Sequence, residues 1–191
     1  MFPELVRRCA PELTDSQIAR LDWHYGLLLR WNKVLNLTRI TETADIVARH
    51  YCESLFVGQV LRPEPQTIVD IGSGAGFPGF PVAVLRPDCT VTLVEAHRRK
   101  AVFLKEATRG MSNVRVFAGR AEDLAEQFDW AMSRAISYED LGSALKRLAA
   151  RAALLTGSDA PPNGLGFEWQ PAMPMPGGSH RFLRVGMLQR G

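Results

Sequence analysis

Residues 67–79 read Thr-Ile-Val-Asp-Ile-Gly-Ser-Gly-Ala-Gly-Phe-Pro-Gly, and few chain paths accommodate such a stretch. Ile68, Val69 and Ile71 make an apolar run of buried-strand length. Gly72, Gly74 and Gly76 follow directly, and a helix-like segment, residues 80–85, comes next. Alternating glycines permit positive φ and let a ligand approach the backbone closely, at an entropic cost that a plain strand-to-helix turn does not require. Strand, glycine loop and helix together open a nucleotide-binding α/β unit. A second strand-like run, Thr90–Val94, ends in Glu95. That acid follows the glycines by about 20 residues, where a carboxylate accepts ribose hydroxyls. Asp70 before Gly72, with Glu95 closing the next strand, favours S-adenosylmethionine as the ligand. Gly74–Gly79 also fits GxGxxG, which keeps a nicotinamide dinucleotide open.

From residue 66 onward strands and helices alternate. Strands are predicted over 66–71, 90–95, 113–117, 128–132, 151–156, about 166–170 and 181–189, with helices over 79–86, 97–109, 121–125 and 137–149. This alternation predicts an α/β fold with a parallel sheet covered by helices on both faces. The last two strands lack a long helix between them, so they form an antiparallel terminal hairpin. A seven-stranded, mostly parallel sheet ending in such a hairpin is the layout of the class I S-adenosylmethionine-dependent methyltransferase (Rossmann-like) fold. Ahead of it lies a helical extension, residues 1–62, with the Rossmann-like domain over 63–191. Arg62-Pro63-Glu64-Pro65 is the linker between them. In the extension, Thr14 with Gln17 forms a capping box, and Ile18, Leu21, Tyr25, Leu28 and Leu29 share one face of a helix ending near Trp31. A loop, Asn32–Thr41, precedes a second helix over 43–60.

Composition excludes several classes. Hydrophobic residues make up 46% and charged residues 23%, ordinary for a globular chain, and no apolar run reaches membrane-spanning length. Cys9, Cys52 and Cys89 lack CxxC spacing and predict reduced thiols in a cytoplasmic protein, with no metal site. The net charge is +3, and residues 131–191 hold seven bases and four acids, so counting along the chain puts the excess at the C-terminal end.

Several motifs carry both a structural and a chemical reading. Trp31–Thr38 is either a helix C-cap with Asn32 left-handed, or a segment whose Lys33 and Asn36 meet RNA. Arg49 and Glu53 stand at i,i+4 as a surface ion pair; His50 is a core histidine or, with Ser54, lines a pocket. Phe77 packs in the core or lies against a cofactor. Ala121 and Glu122, after the third strand, fix an adenine edge or cap a helix. Arg134 ends the fourth strand, on the side where open α/β sheets bind ligands, and pairs with a cofactor carboxylate or a substrate phosphate. An Asn/Asp-Pro-Pro-Tyr-type ending is absent there, which argues against exocyclic amino-group chemistry.

Read together, Trp31–Thr38, Arg49-His50 with Ser54, Asp70–Pro81, Arg86-Pro87, Thr92–Glu95, Lys100 with Phe103-Leu104, Arg120 with Glu122, and Ser133-Arg134-Ala135 resemble the bacterial 16S ribosomal RNA guanine-N7 methyltransferases, also called glucose-inhibited division protein B. The resemblance implies S-adenosyl-L-methionine as cofactor, held by Gly72, Gly74, Gly76, Phe77, Glu95, Ala121, Glu122 and Arg134. It implies 16S ribosomal RNA or the small ribosomal subunit as partner, met by Lys33, Asn36, Arg49 and His50, and a monomer with no membrane association. Two departures stand out: Glu53 replaces the usual Asp, and Thr156 replaces a Lys before Gly157. The alternatives are a methyltransferase with another substrate and a non-catalytic RNA-binding factor on the same fold.

Overall fold

The computed structural model describes residues 1–61, 64, 66–162, 165–178 and 180–189. Parallel strands β1 (Thr67–Ile71), β2 (Thr90–Val94), β3 (Val114–Phe117), β4 (Phe128–Arg134) and β5 (Ala149–Thr156) form most of one sheet. Antiparallel β8 (Phe182–Leu188) extends it beside β5, and β6 (Phe167–Trp169) and the two-residue β7 (Met173–Pro174) pair with β8. The order is β3-β2-β1-β4-β5-β8-β6. This is the expected sheet, with β7 as an unexpected addition. The order of strand addition reverses at β1, whose parallel neighbours are β2 and β4, so the carboxyl ends of these strands open a crevice.

Strand alternation assigns the two faces. Ile68, Val91, Leu93, Trp130 and Met132 point to one side, where helices α1 (Phe2–Cys9), α2 (Asp15–Leu35), α3 (Thr43–Ile46), α4 (Glu53–Val60), α5 (Gly79–Leu85) and α6 (Arg98–Ala107) share one core with them. Val69, Ile71, Val94 and Ala131 face the other side, covered by α7 (Tyr138–Leu148). The helical extension thus builds on the same core as the sheet. The linker expected over 62–65 lies, except for Glu64, outside the described residues.

Four local expectations need correction. Helix α2 starts at the predicted capping box but continues to Leu35, and the left-handed cap is Asn36, φ +47°. Asn32 stays helical because its side chain is engaged: it donates to and accepts from the Thr38 backbone. The helix over 43–60 is interrupted by a π-helical turn, Val47–Cys52, a feature that often marks functional segments. The segment after β3 is only a 3-10 turn, Ala121–Asp123. Cys9 and Cys52 are joined by a disulfide, with only Cys89 free. Helix α1, which the sequence reading did not predict, folds Phe2 onto Tyr25 and Tyr51 and so carries Cys9 to Cys52.

Candidate active site

Two clefts flank the carboxyl end of β4. The first, about 290 Å³, lies over the ends of β1, β2 and β3, between Gly72, Glu95 and Ala96, the Gly119–Glu122 turn, and Ile136. Glu95 is 8% exposed. Its Oε2 accepts from the Gly74 N–H at 2.9 Å and its Oε1 from the His97 N–H at 2.7 Å. A carboxylate has about four lone-pair sites, so each oxygen keeps acceptor capacity for a hydroxyl. Gly74 has φ +56°, and a Cβ placed there would meet nothing closer than 3.9 Å, so the loop backbone is open to close approach. Buried acceptor, open glycine backbone and a turn carrying Ala121 and Glu122 fit the nucleoside portion of S-adenosylmethionine. Glu122 is exposed, with Arg120 3.6 Å away, whereas Ala121 is buried and its carbonyl accepts from Arg147.

The other glycines have structural duties. A Cβ on Gly72 would collide with Ile136. One on Gly76 (φ +88°) would sit 3.2 Å from the Phe80 Cβ and 3.3 Å from the His24 Nε2, toward the helical layer. Asp70 is fully buried below the loop; its Oδ2 accepts from the Gly79 N–H at 3.0 Å, while Oδ1 has no partner among the described residues. Burial raises its pKa to about 7, against the opposing effect of the Gly79 hydrogen bond.

The second cleft, about 320 Å³, lies across β4 and is basic. Arg49, Arg134 and Arg181 line it with His50, Thr156 and Gly157. The chain turns sharply at Ala135, φ +61°, so Arg134 faces this cleft while Ile136 faces the first. Arg134 donates to the Arg49 carbonyl at 2.8 Å, and its guanidinium lies 5.3 Å from the Phe77 ring centre. Phe77 is 3% exposed, stacked under His50 at 4.8 Å. It lines neither cleft and acts by supporting groups that do. His50 shares a hydrogen bond with the Thr38 hydroxyl at 2.8 Å, and its Nδ1 has no partner among the described residues. Burial, then the Arg134 charge, lowers its pKa to about 3, which keeps the ring neutral.

The predicted Arg49–Glu53 pair does not form. Glu53, 1% exposed, instead receives a bidentate contact from Arg181 at 2.5 and 2.6 Å, with Arg134 at 4.0 Å. A long exposed side chain gains little from a surface pair, whereas an ionised carboxylate in a buried position gains most from a close, hydrogen-bonded cation. Lys33 and Asn36 are exposed at the end of α2 and border neither cleft.

Sequence reading missed His24. It is fully buried, with Nε2 3.0 Å from the Ala75 carbonyl and Nδ1 2.6 Å from the Tyr51 hydroxyl. The Ala75 carbonyl requires Nε2–H as donor, so Nδ1 accepts from Tyr51. Its pKa, about 3, is lowered by burial. The histidine thereby ties α2 and the π turn to the glycine loop. A histidine on the apolar face of α2 was the available signal. Arg181 gave none, since Glu53 is 128 residues away.

The family described as rRNA small subunit methyltransferase G (GidB) matches residues 17–152. The chain belongs to this family. A relative of that description in Desulforamulus reducens is 36% identical over 135 residues, 66% of this chain and 56% of the relative. One in Trichormus variabilis is 39% identical over 140 residues, 64% and 56% of the respective chains. The alignments thus span a little over half the length of these curated relatives. Among solved structures, a SAM dependent methyltransferase from Aquifex aeolicus superposes with TM-score 0.62 at 14% identity, covering 81% of this chain and 97% of that one. A TehB-like SAM-dependent methyltransferase from Corynebacterium glutamicum gives 0.58 at 17%, covering 87% and 98%. These likenesses establish the class I methyltransferase fold. Thr156 is on the wall of the basic cleft and accepts from Arg184 at 3.2 Å.

Proposed function

We propose that this chain transfers a methyl group from S-adenosylmethionine to N7 of a guanine in 16S ribosomal RNA. One observation carries the reading: in a member of this family, a nucleoside-sized cleft with a buried acceptor, Glu95, adjoins a cleft with three guanidinium groups across a single turn at Ala135. The cofactor, when bound, supplies an electrophilic methyl group on a sulfonium.

Guanine N7 carries a free lone pair in the neutral base, so the attack needs no general base. That agrees with a site whose two histidines are held neutral by burial and bonded to structural partners. Catalysis then consists of alignment and electrostatics. Glu95 holds the ribose hydroxyls, the Gly72–Gly76 backbone accommodates the cofactor's close approach, and Ala121 and Glu122 border the adenine. Arg134 binds either the cofactor carboxylate or an RNA phosphate. The extension preceding residue 63 supplies Arg49 and His50 to the RNA side, with Lys33 and Asn36 farther out. The same reading has the chain acting in the cytoplasm, as a monomer, on ribosomal RNA or on the small subunit.

Labelled methyl transfer to ribosomal RNA, followed by nucleoside analysis, tests the proposal. Label in 7-methylguanosine is the expected outcome. Label in another nucleoside, or none in RNA, overturns it.

A further inference from the structure

The charge of the chain is not spread evenly over the fold. On α6, Phe103 and Glu106 face α2: the Trp31 ring is 6.0 Å from Phe103, and its Nε1 donates to Glu106 at 3.0 Å. Beside this seam, Arg98, Val102 and Lys105 form an exposed stripe at helical spacing, with Arg99 next to it and the exposed Arg109 on the turn just past the helix. On α2, Arg20 reaches the Arg109 carbonyl. Trp23, three residues on, begins a second exposed stripe with Arg30 and Val34 on the flank nearest α6. Trp23 is 46% exposed, Val34 63% and Val102 54%. The Arg30 guanidinium lies 5.7 Å from the Trp23 ring centre.

Six bases therefore surround one acid, Glu106, which Trp31 already engages, whereas the whole chain carries only +3. Among the described residues, none of these six bases forms an ion pair. A surface meant only to be solvated distributes charges of both signs. Three separated apolar side chains are too few for a protein-binding patch. Unpaired cations around an exposed, arginine-flanked indole match single-stranded nucleic acid, with phosphates on the cations and a base on the ring. The position agrees: Arg98 follows Ala96, on the rim of the first cleft, by two residues, and α6 leads away from it for about 15 Å.

We infer that the α2–α6 face docks a single-stranded RNA segment flanking the nucleotide presented to the clefts, with phosphates on Arg98, Arg99, Lys105 and Arg109 and a base on Trp23. The inference rests on RNA being the substrate, as proposed above.

Binding of in vitro transcribed 16S ribosomal RNA is measured across a salt series, with S-adenosylhomocysteine affinity as the check on folding. R98Q/R109Q should weaken RNA binding about tenfold and flatten the log–log salt slope by about 1.4, two phosphate contacts. W23A should weaken it about tenfold with the slope unchanged. R98K/R109K, which keeps both charges, should bind within about threefold of wild type and retain its slope. R7Q/R8Q on α1 removes the same charge elsewhere and should leave the slope unaltered. If R98Q/R109Q and W23A bind like wild type, or R7Q/R8Q loses as much as R98Q/R109Q, the docking face is refuted even where wild type produces 7-methylguanosine. If wild type binds through this face but forms no 7-methylguanosine, the methylation reading fails and the docking face stands. If wild type binds no RNA, both fall.

Discussion

At the scale of single residues, Glu95 joins scaffold and ligand chemistry. It fastens the Gly74 and His97 amides while facing the first cleft, so its removal affects both the loop and the ribose. Glu95→Ala should weaken S-adenosylhomocysteine binding by roughly 10- to 100-fold, the loss of a charge-assisted hydrogen bond of about 1.5–3 kcal/mol. Calorimetry measures it; a change below threefold means the carboxylate only caps α6. Asp70 gives a pH prediction. Its native pKa of about 7 lies above the ordinary carboxylate value of 3.8. Between these values the folded state holds a proton that the unfolded state has released. The stabilisation is therefore complete below pH 4 and is lost as the pH rises through about 7. Asp70→Asn, which cannot ionise, should become steadily more stable than wild type from pH 4 to pH 8, by on the order of 4 kcal/mol in total. His24 and His50 have lowered pKa values and act in the opposite direction, but equally in both proteins, so the difference isolates Asp70. Urea unfolding at a series of pH values decides the matter, and a pH-independent difference would refute it.

At the scale of elements, the π turn and the terminal hairpin depend on each other. Glu53 starts α4 directly after the π turn, and Arg181 stands immediately before β8. Their contact pins the start of β8 to the helical layer and shapes the basic cleft. Arg181→Met leaves Glu53 buried with only the 4.0 Å contact to Arg134, and should destabilise the fold by about 3–5 kcal/mol. Adding Glu53→Gln should restore much of that loss, because no buried charge remains. Denaturant midpoints of the two variants measure both effects; a double variant no more stable than the single one removes the buried charge as the cause. The π turn also brings His50 over Phe77 and Tyr51 against His24, so one irregular segment serves both the cleft and the glycine loop.

At the scale of the whole molecule, α1 and the disulfide close the helical layer over the sheet. Cys9 and Cys52 are 43 residues apart in sequence, and a cross-link of that span restricts the unfolded chain. Its reduction should cost about 2–4 kcal/mol, read as a lower urea midpoint in the presence of a phosphine reductant. Equal midpoints with and without reductant would show that the bond contributes nothing to stability. Among the described residues the two faces of the sheet are unequally covered, with six helices on one and α7 on the other; the second cleft opens where the heavier layer meets the strand ends, and the first opens on the α7 side.

What the sequence determined by itself is what local periodicity and steric needs encode. The strand–helix alternation from residue 66, the capping box at Thr14, the glycine loop and the acid closing β2 were all legible, because each depends on neighbours within a few residues. Helix α1 escaped because eight residues hold too little periodicity, and its order comes from Phe2 packing on Tyr25 and Tyr51. Long-range partners were invisible for the same reason: Glu53 reads as the i,i+4 partner of Arg49 until the hairpin delivers Arg181, and Cys9 reads as a lone thiol until α1 folds back. Charge counted along the chain fell at the C-terminal end, yet the fold gathers unpaired bases on α2 and α6, far apart in sequence. Only tertiary structure decided that gathering, since helix packing sets which residues share a surface.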